Sequence, residues 1–210
     1  MKLNVIEKSA AYQTEVINHY DALIDENNDP VRDPEPLKKY MDGWDGELFI
    51  KALHLSKEKA VFEIGVGTGR LAVRVAPLCK DFTGIDLSSK TILRAREKLL
   101  NCNNVNLICG NFLEFDFGQA FDIIYSSLTF LHIKEKQTAI NKVYSLLNAG
   151  GRFVLSIDKN QDKYIDFGKR KLAVYPDNPD NIKSCLKQAG FDFEEMSEAE
   201  FAYIFTAIKR

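Results

Sequence analysis

Glu63-Ile64-Gly65-Val66-Gly67-Thr68-Gly69 sets one acid and three alternate glycines at the end of an apolar run, Val61, Phe62 and Ile64. Glycines at this spacing allow positive φ and let another molecule come close to the backbone. The apolar stripe that follows, Leu71, Ala72, Val73, Val75 and Ala76, is a predicted helix whose first N–H groups are free to meet a ligand. Asp86 ends the next apolar segment, Phe82-Thr83-Gly84-Ile85-Asp86, where a carboxylate can accept hydrogen bonds from ribose hydroxyls. A dinucleotide fingerprint would need glycine or alanine at position 70, and the residue there is Arg70.

A second group of reactive side chains follows the fourth predicted strand, Phe121 to Tyr125. Ser126, Ser127, Thr129 and His132 stand where strand ends face a ligand crevice. By residue type and position His132 is the candidate catalytic base; the alternative is a histidine that packs beside the ligand or caps the next helix. Cys79, Cys102, Cys109 and Cys185 show neither metal-ligand spacing nor a pairing pattern, so reduced thiols and no metal are expected.

With these segments in this order, residues 58 to 209 resemble the class I S-adenosylmethionine-dependent methyltransferases. The resemblance implies a glycine loop, with Gly65, Gly67 and Gly69, wrapped around the methionine half of the cofactor. It places Glu63 as organiser of that loop or of the cofactor's amino group, Asp86 on the ribose and Leu87 on the adenine. Gly110-Asn111-Phe112 stands where the family often has Gly-Asp-hydrophobe at the adenine amino group; Asn111 departs from that pattern, but its carboxamide oxygen can accept the same bond. Ser126 and Ser127 fall at the exit of the family's fourth strand. The cofactor is then S-adenosylmethionine, leaving as S-adenosylhomocysteine. Its sulfonium already activates the methyl group, so the protein has mainly to align a nucleophile and exclude water.

These residues need a doubly wound α/β scaffold: a mostly parallel seven-stranded sheet, a C-terminal antiparallel hairpin and an N-terminal helical cap. Ser88 or Ser89 caps a helix that runs to about Asn101, and Val105 to Ile108 is the third strand. Lys134 to Leu147 is a predicted helix closed by Gly150, Arg152 to Ile157 the fifth strand, and Asp180 to Ala189 a helix ended by Gly190. Phe191 to Met196 and Phe201 to Ile208 are too close in sequence to pair other than antiparallel. Residues 159 to 179, with Lys169-Arg170-Lys171, form either an exposed β-ribbon or a border of the substrate pocket.

Residues 1–56 are expected to form the cap and 57–210 the cofactor-binding domain. Helical stripes run through Tyr12, Val16, Ile17 and Tyr20, and again through Leu37, Tyr40, Met41, Leu48, Ile50 and Leu53, with a proline-rich loop between them. Between Asp21 and Glu47 stand nine acids against three bases. They read as a solvated face, or as a lid that favours a cationic acceptor. Tyr20, Trp44 and Thr129 are the candidate substrate contacts, although aromatics on helical stripes also serve as core.

A chain of 210 residues and net charge −2 is expected to be one globular unit with a small appendage. It has no basic face for nucleic acid, no apolar run near the ~20 residues of a membrane span, and no signal-peptide pattern in Met1 to Glu7. A cytoplasmic monomer or homodimer acting on a small-molecule amine or hydroxyl is expected. The Asn/Asp-Pro-Pro-aromatic run of nucleobase and glutamine amino-methylating enzymes is absent after the fourth strand, as is the Pro-Cys pair of cytosine C5 chemistry. A nicotinamide-dependent oxidoreductase and a non-catalytic S-adenosylmethionine-binding protein remain the alternatives.

Overall fold

Five strands rich in β-branched and aromatic residues set the central sheet of the computed structural model, which describes residues 2–168 and 170–210, with side chains from residue 10 onward. They are β1 (Ala60–Ile64), β2 (Asp81–Asp86), β3 (Val105–Cys109), β4 (Phe121–Ser127) and β5 (Leu147–Asp158). After a two-stranded ribbon of β6 (Tyr164–Asp166) and β7 (Lys171–Ala173), the chain ends in β8 (Phe191–Glu198) and β9 (Ala202–Lys209). The seven-stranded order is β3-β2-β1-β4-β5-β9-β8. The first five strands are parallel, and β9 pairs antiparallel with both β5 and β8. Strand order reverses between β1 and β4, the switch point where an open α/β sheet forms its ligand crevice.

The helices are α1 (Lys2–Asp25), α2 (Glu35–Asp45), α3 (Glu47–Ala52), α4 (Ala72–Val75), α5 (Ser89–Lys98), α6 (Lys136–Leu146) and α7 (Pro179–Ala189). Ser88 caps α5, its hydroxyl accepting the Thr91 N–H at 3.1 Å, and Gly190 ends α7 in the left-handed region at φ 96°. Two apolar layers cover the sheet. One contains Phe62, Phe121, Ile140 and Phe153, the other Phe49, Val75, Phe82 and Tyr125.

Several boundaries differ from the sequence pattern. The second N-terminal stripe is split at Gly46 into α2 and α3. The helix after the glycine loop is a single turn, followed by a 3-10 turn at Ala76–Leu78 around Pro77, which lacks the N–H a continuing helix needs. Gly150 does not cap α6. That helix passes directly into β5, where Leu147 pairs with Phe121 before the register shifts and resumes at Arg152 opposite Ile123. Gly150, at φ 74°, takes up the irregularity between them. Lys169 of the basic tract lies outside the described residues, as does Met1.

The connection from 159 to 179 is both a ribbon and a wall. β6 and β7 pair antiparallel, while Tyr175 N–H donates to the Leu131 carbonyl at 2.8 Å. Buried Lys136 reaches Asp177 at 2.8 Å and the Tyr175 carbonyl at 2.9 Å. These bonds hold the segment against the exit of β4.

Candidate active site

The glycine loop leaves β1 and is bound at once to β2: the N–H groups of Gly65 and Val66 both donate to the Ile85 carbonyl, at 2.9 and 3.0 Å. Its glycines have different tasks. A Cβ on Gly65 would stand 1.9 Å from Thr129 Oγ1, whereas one on Gly67 would meet no atom within 4 Å. Gly65 is therefore needed for packing and Gly67 leaves open space, both at positive φ.

Asp86 joins the loop to the end of β2. Its Oδ2 accepts the Gly67 N–H at 2.9 Å, and its Oδ1 accepts the Ser88 N–H at 2.9 Å and the Thr91 hydroxyl at 3.1 Å. Burial raises its pKa above the ordinary carboxylate value, against the pull of these bonds. Asn111 uses its carboxamide locally, Oδ1 accepting the Leu113 N–H at 2.9 Å and Nδ2 donating to Glu114 at 3.0 Å. Phe112 beside it packs on Phe62.

These elements surround one cavity of about 890 Å³. Of the candidates from sequence, Glu63, Gly65, Gly67, Asp86, Leu87, Asn111, Phe112, Ser127, Thr129, His132, Tyr20 and Trp44 line it. Gly69 and Ser126 do not. Gly69 faces Ala95, and the Ser126 hydroxyl turns back to the Ile64 carbonyl at 2.9 Å.

β4 ends in a sharp corner. Leu128 adopts φ 53°, an uncommon conformation for a γ-branched side chain, and the 3-10 turn Phe130–His132 follows. This corner turns His132 toward α1. Its Nε2 lies 2.8 Å from Tyr20 Oη and its Nδ1 3.4 Å from Tyr12 Oη, which donates to the Ala173 carbonyl at 2.9 Å. With the Tyr12 proton on Ala173, the consistent arrangement has His132 donating from Nδ1 and accepting the Tyr20 hydroxyl at Nε2. Burial, with repulsion from His19 and Lys136, lowers the His132 pKa to about 3, so the imidazole is neutral at physiological pH.

Sequence reasoning missed the cluster under the loop. Asp45, the last residue of α2, is fully buried and receives the Arg70 guanidinium on both oxygens, with Nη1 to Oδ1 at 2.7 Å; the Ser127 hydroxyl donates to Oδ2. Glu63 is 3% exposed, accepts the Tyr125 hydroxyl at 2.7 Å and has its pKa pushed up to about 8 by burial. Asp45 and Arg70 are 25 residues apart and Asp45 and Ser127 are 82 apart, so no local pattern could have joined them.

The remaining cap acids mostly bind the sheet domain. Asp21 accepts the Ser88 hydroxyl at 2.5 Å, Asp25 pairs with Lys90 at 2.6 Å and Glu26 with Arg170 at 2.8 Å. Asp29 pairs with Lys98, while Asp42 and Glu47 share Arg74 at 3.1 and 3.2 Å. The acidic stretch is thus largely a set of fastenings between cap and domain.

The cavity suits an adenosyl amino acid. Gly67 leaves an open face beside Asp86, and the buried Thr68 Oγ1 and Trp44 Nε1 in its wall find no hydrogen-bond partner among the described residues. Polar atoms of this kind are costly unless a ligand or water satisfies them. Among the described residues no group of three or more metal-ligating side chains converges, and no helix is long and apolar enough to cross a membrane.

Comparison with known proteins agrees. Residues 61–151 match the family model described as a methyltransferase domain. An uncharacterized methyltransferase of Staphylococcus carnosus is 26% identical, covering 90% of this chain and 94% of its own. One from Anoxybacillus flavithermus is 34% identical over 57% of each chain, so the alignable stretch spans little more than half of that relative. In structure, the magnesium protoporphyrin IX methyltransferase of Synechocystis PCC 6803, with S-adenosylmethionine bound, superposes with a TM-score of 0.73 at 16% identity, over 95% of this chain and 97% of that one. The match over residues 61–151 and the Staphylococcus carnosus relative make this chain similar to methyltransferases, and the glycine loop and the antiparallel end of its sheet give it the fold of the class I S-adenosylmethionine-dependent enzymes.

Proposed function

We propose that this methyltransferase acts on a small, flat or aromatic amine or hydroxyl compound, bound beneath α1 with residues 1–56 serving as the lid. The observation that carries this reading is the continuity of the cavity. The glycine loop, Asp86, Leu87 and Asn111 line the same cavity as the aromatic side chains Tyr12, Tyr20, Trp44, Tyr164 and Tyr175. Its volume of about 890 Å³ lies near the top of the ~300–1,000 Å³ range of ligand pockets, which leaves room for an acceptor beside a cofactor.

In this reading Asp86 holds the ribose, Leu87 and Phe112 flank the adenine, and Asn111 meets its amino group. Glu63 and Ser127 face the aminoacyl end. When bound, S-adenosylmethionine supplies an activated methyl group. The chain's part is to align the acceptor and keep out water. His132 orients the acceptor through Nε2, exchanging its bond to Tyr20 for one to the substrate. Its low pKa suits a neutral hydrogen-bond acceptor better than a base that must hold a proton at neutral pH. An acceptor with a free lone pair, such as an unprotonated amine, then needs no base.

The test is a thermal-shift titration with S-adenosylmethionine, S-adenosylhomocysteine and NAD(H), followed by an acceptor screen that reads S-adenosylhomocysteine release. At ~100 times its dissociation constant an adenosyl ligand adds about 2.7 kcal/mol, raising Tm by roughly 5–10 °C. Turnover with an aromatic or heterocyclic amine or hydroxyl compound would support the reading. Turnover only with large protein or nucleic-acid acceptors would overturn it.

A further inference from the structure

The fully buried Asp45 has no contact with the cavity yet touches two residues that line it. Its carboxylate binds the Arg70 fork on both oxygens and also takes the Ser127 hydroxyl. α2 is held in place to do this. The Gly43 carbonyl accepts the Phe201 N–H at 2.8 Å, and the Trp44 carbonyl accepts the Ser156 hydroxyl at 2.8 Å. Gly43 permits that approach, since a Cβ there would lie 2.4 Å from the Phe201 ring. The cap is thus anchored across the ends of β5 and β9, and its terminal acid is delivered beneath the glycine loop.

A guanidinium has five N–H donors, and the two nitrogens that Asp45 engages fix the plane of the fork. Arg70 lines the cavity together with Glu63, whose charge acts on the guanidinium after that of Asp45. A zwitterion with a carboxylate for Arg70 and an ammonium for Glu63 matches this pair of groups.

We propose that Asp45 is a positioning residue of the cofactor site: it fixes the Arg70 fork for the charged aminoacyl end of the cofactor, so that docking of the cap completes that subsite. The inference rests on the cofactor reading given above. A buried ion pair that only stabilised the fold would affect every ligand alike; a positioning residue affects only the ligand whose charged end it serves.

Calorimetric titration with S-adenosylhomocysteine and with 5′-methylthioadenosine, which keeps the nucleoside but lacks the aminoacyl group, separates these cases. For the wild type, S-adenosylhomocysteine is expected to bind more tightly than the truncated nucleoside. Asp45→Asn is expected to weaken S-adenosylhomocysteine about tenfold or more while leaving 5′-methylthioadenosine within about twofold. Adding Asp45→Asn to Arg70→Gln is expected to cost nothing further, because Asp45 acts through Arg70. The double variant buries no unpaired charge, so should Asp45→Asn fail to fold, its comparison with Arg70→Gln still reads whether Asp45 acts through Arg70. Equal loss of both ligands, loss of neither, or a further loss in the double variant would overturn the proposal. Wild type that binds neither ligand would overturn the cofactor reading with it.

Discussion

Tyr20 Oη lies 2.8 Å from His132 Nε2, joining the N-terminal helix to the corner after β4 across 112 residues of sequence. The bond closes the roof of the cavity over its floor. In the function proposed above, it is the contact exchanged when an acceptor enters.

Tyr20→Phe removes that hydroxyl and leaves His132 Nε2 as a buried acceptor without a donor. A cost of about 1–3 kcal/mol in stability is expected, read by denaturant unfolding. His132→Ala is expected to lower turnover of a screened acceptor more than it lowers S-adenosylhomocysteine affinity. An equal fall in both would show that the ring only packs.

Asp86→Ala takes away the acceptor of three hydrogen bonds, one of which holds the Gly67 N–H. S-adenosylhomocysteine affinity is expected to fall at least ~10-fold by calorimetry, from charge-assisted bonds worth roughly 1.5–3 kcal/mol. Unchanged affinity would remove Asp86 from the ribose role.

The glycine loop offers a contrast between neighbours. Gly65→Ala combines positive φ with a Cβ 1.9 Å from Thr129 Oγ1 and is expected to cost about 3 kcal/mol or more, partly restored by Thr129→Ala. Gly67→Ala has space, so only the backbone strain of about 1–2 kcal/mol is expected in Tm, with a larger loss in cofactor binding. Equal Tm losses in the two variants would mean that Thr129 moves aside.

Glu63 gives the stability a pH dependence of defined sign. Its pKa is raised from 4.5 to about 8 in the folded chain, chiefly by burial. Between these values the folded protein keeps a proton that the unfolded chain has released, so the group's stabilising contribution is complete below about pH 4.5 and is lost as pH rises through 8. Glu63→Gln should gain Tm relative to wild type as the pH is raised from 5 to 8.5. A difference that stays constant over that range would show Glu63 to be ionised throughout.

Much of the fold was legible because its signals are local. Alternating and continuous apolar runs marked the strands from Val61 to Ile64, Phe82 to Ile85 and Phe121 to Tyr125, and glycine spacing with Arg70 in the fourth place set the loop apart from the dinucleotide pattern. The short link between the last two strands required the antiparallel end of the sheet, which is found at β8 and β9. Gly150 was misread for a related reason. A glycine after a helix usually ends it, and only the pairing of Leu147 with Phe121 shows that the strand has already begun.

The sequence alone determined where the glycine loop and the acid ending β2 stand, because a glycine, an acid and a strand end declare themselves within a few positions. The tertiary structure decided what faces what. It turned Ser126 and Gly69 away from the cavity, brought Tyr12 and Tyr20 to His132, and spent the cap's acids on Lys90, Lys98, Arg74 and Arg170. Above all it buried Asp45 against Arg70 and Ser127. Burial and long-range pairing depend on how helices dock on a sheet, and an acid in a stretch of nine carries no local mark of which one will be taken out of water.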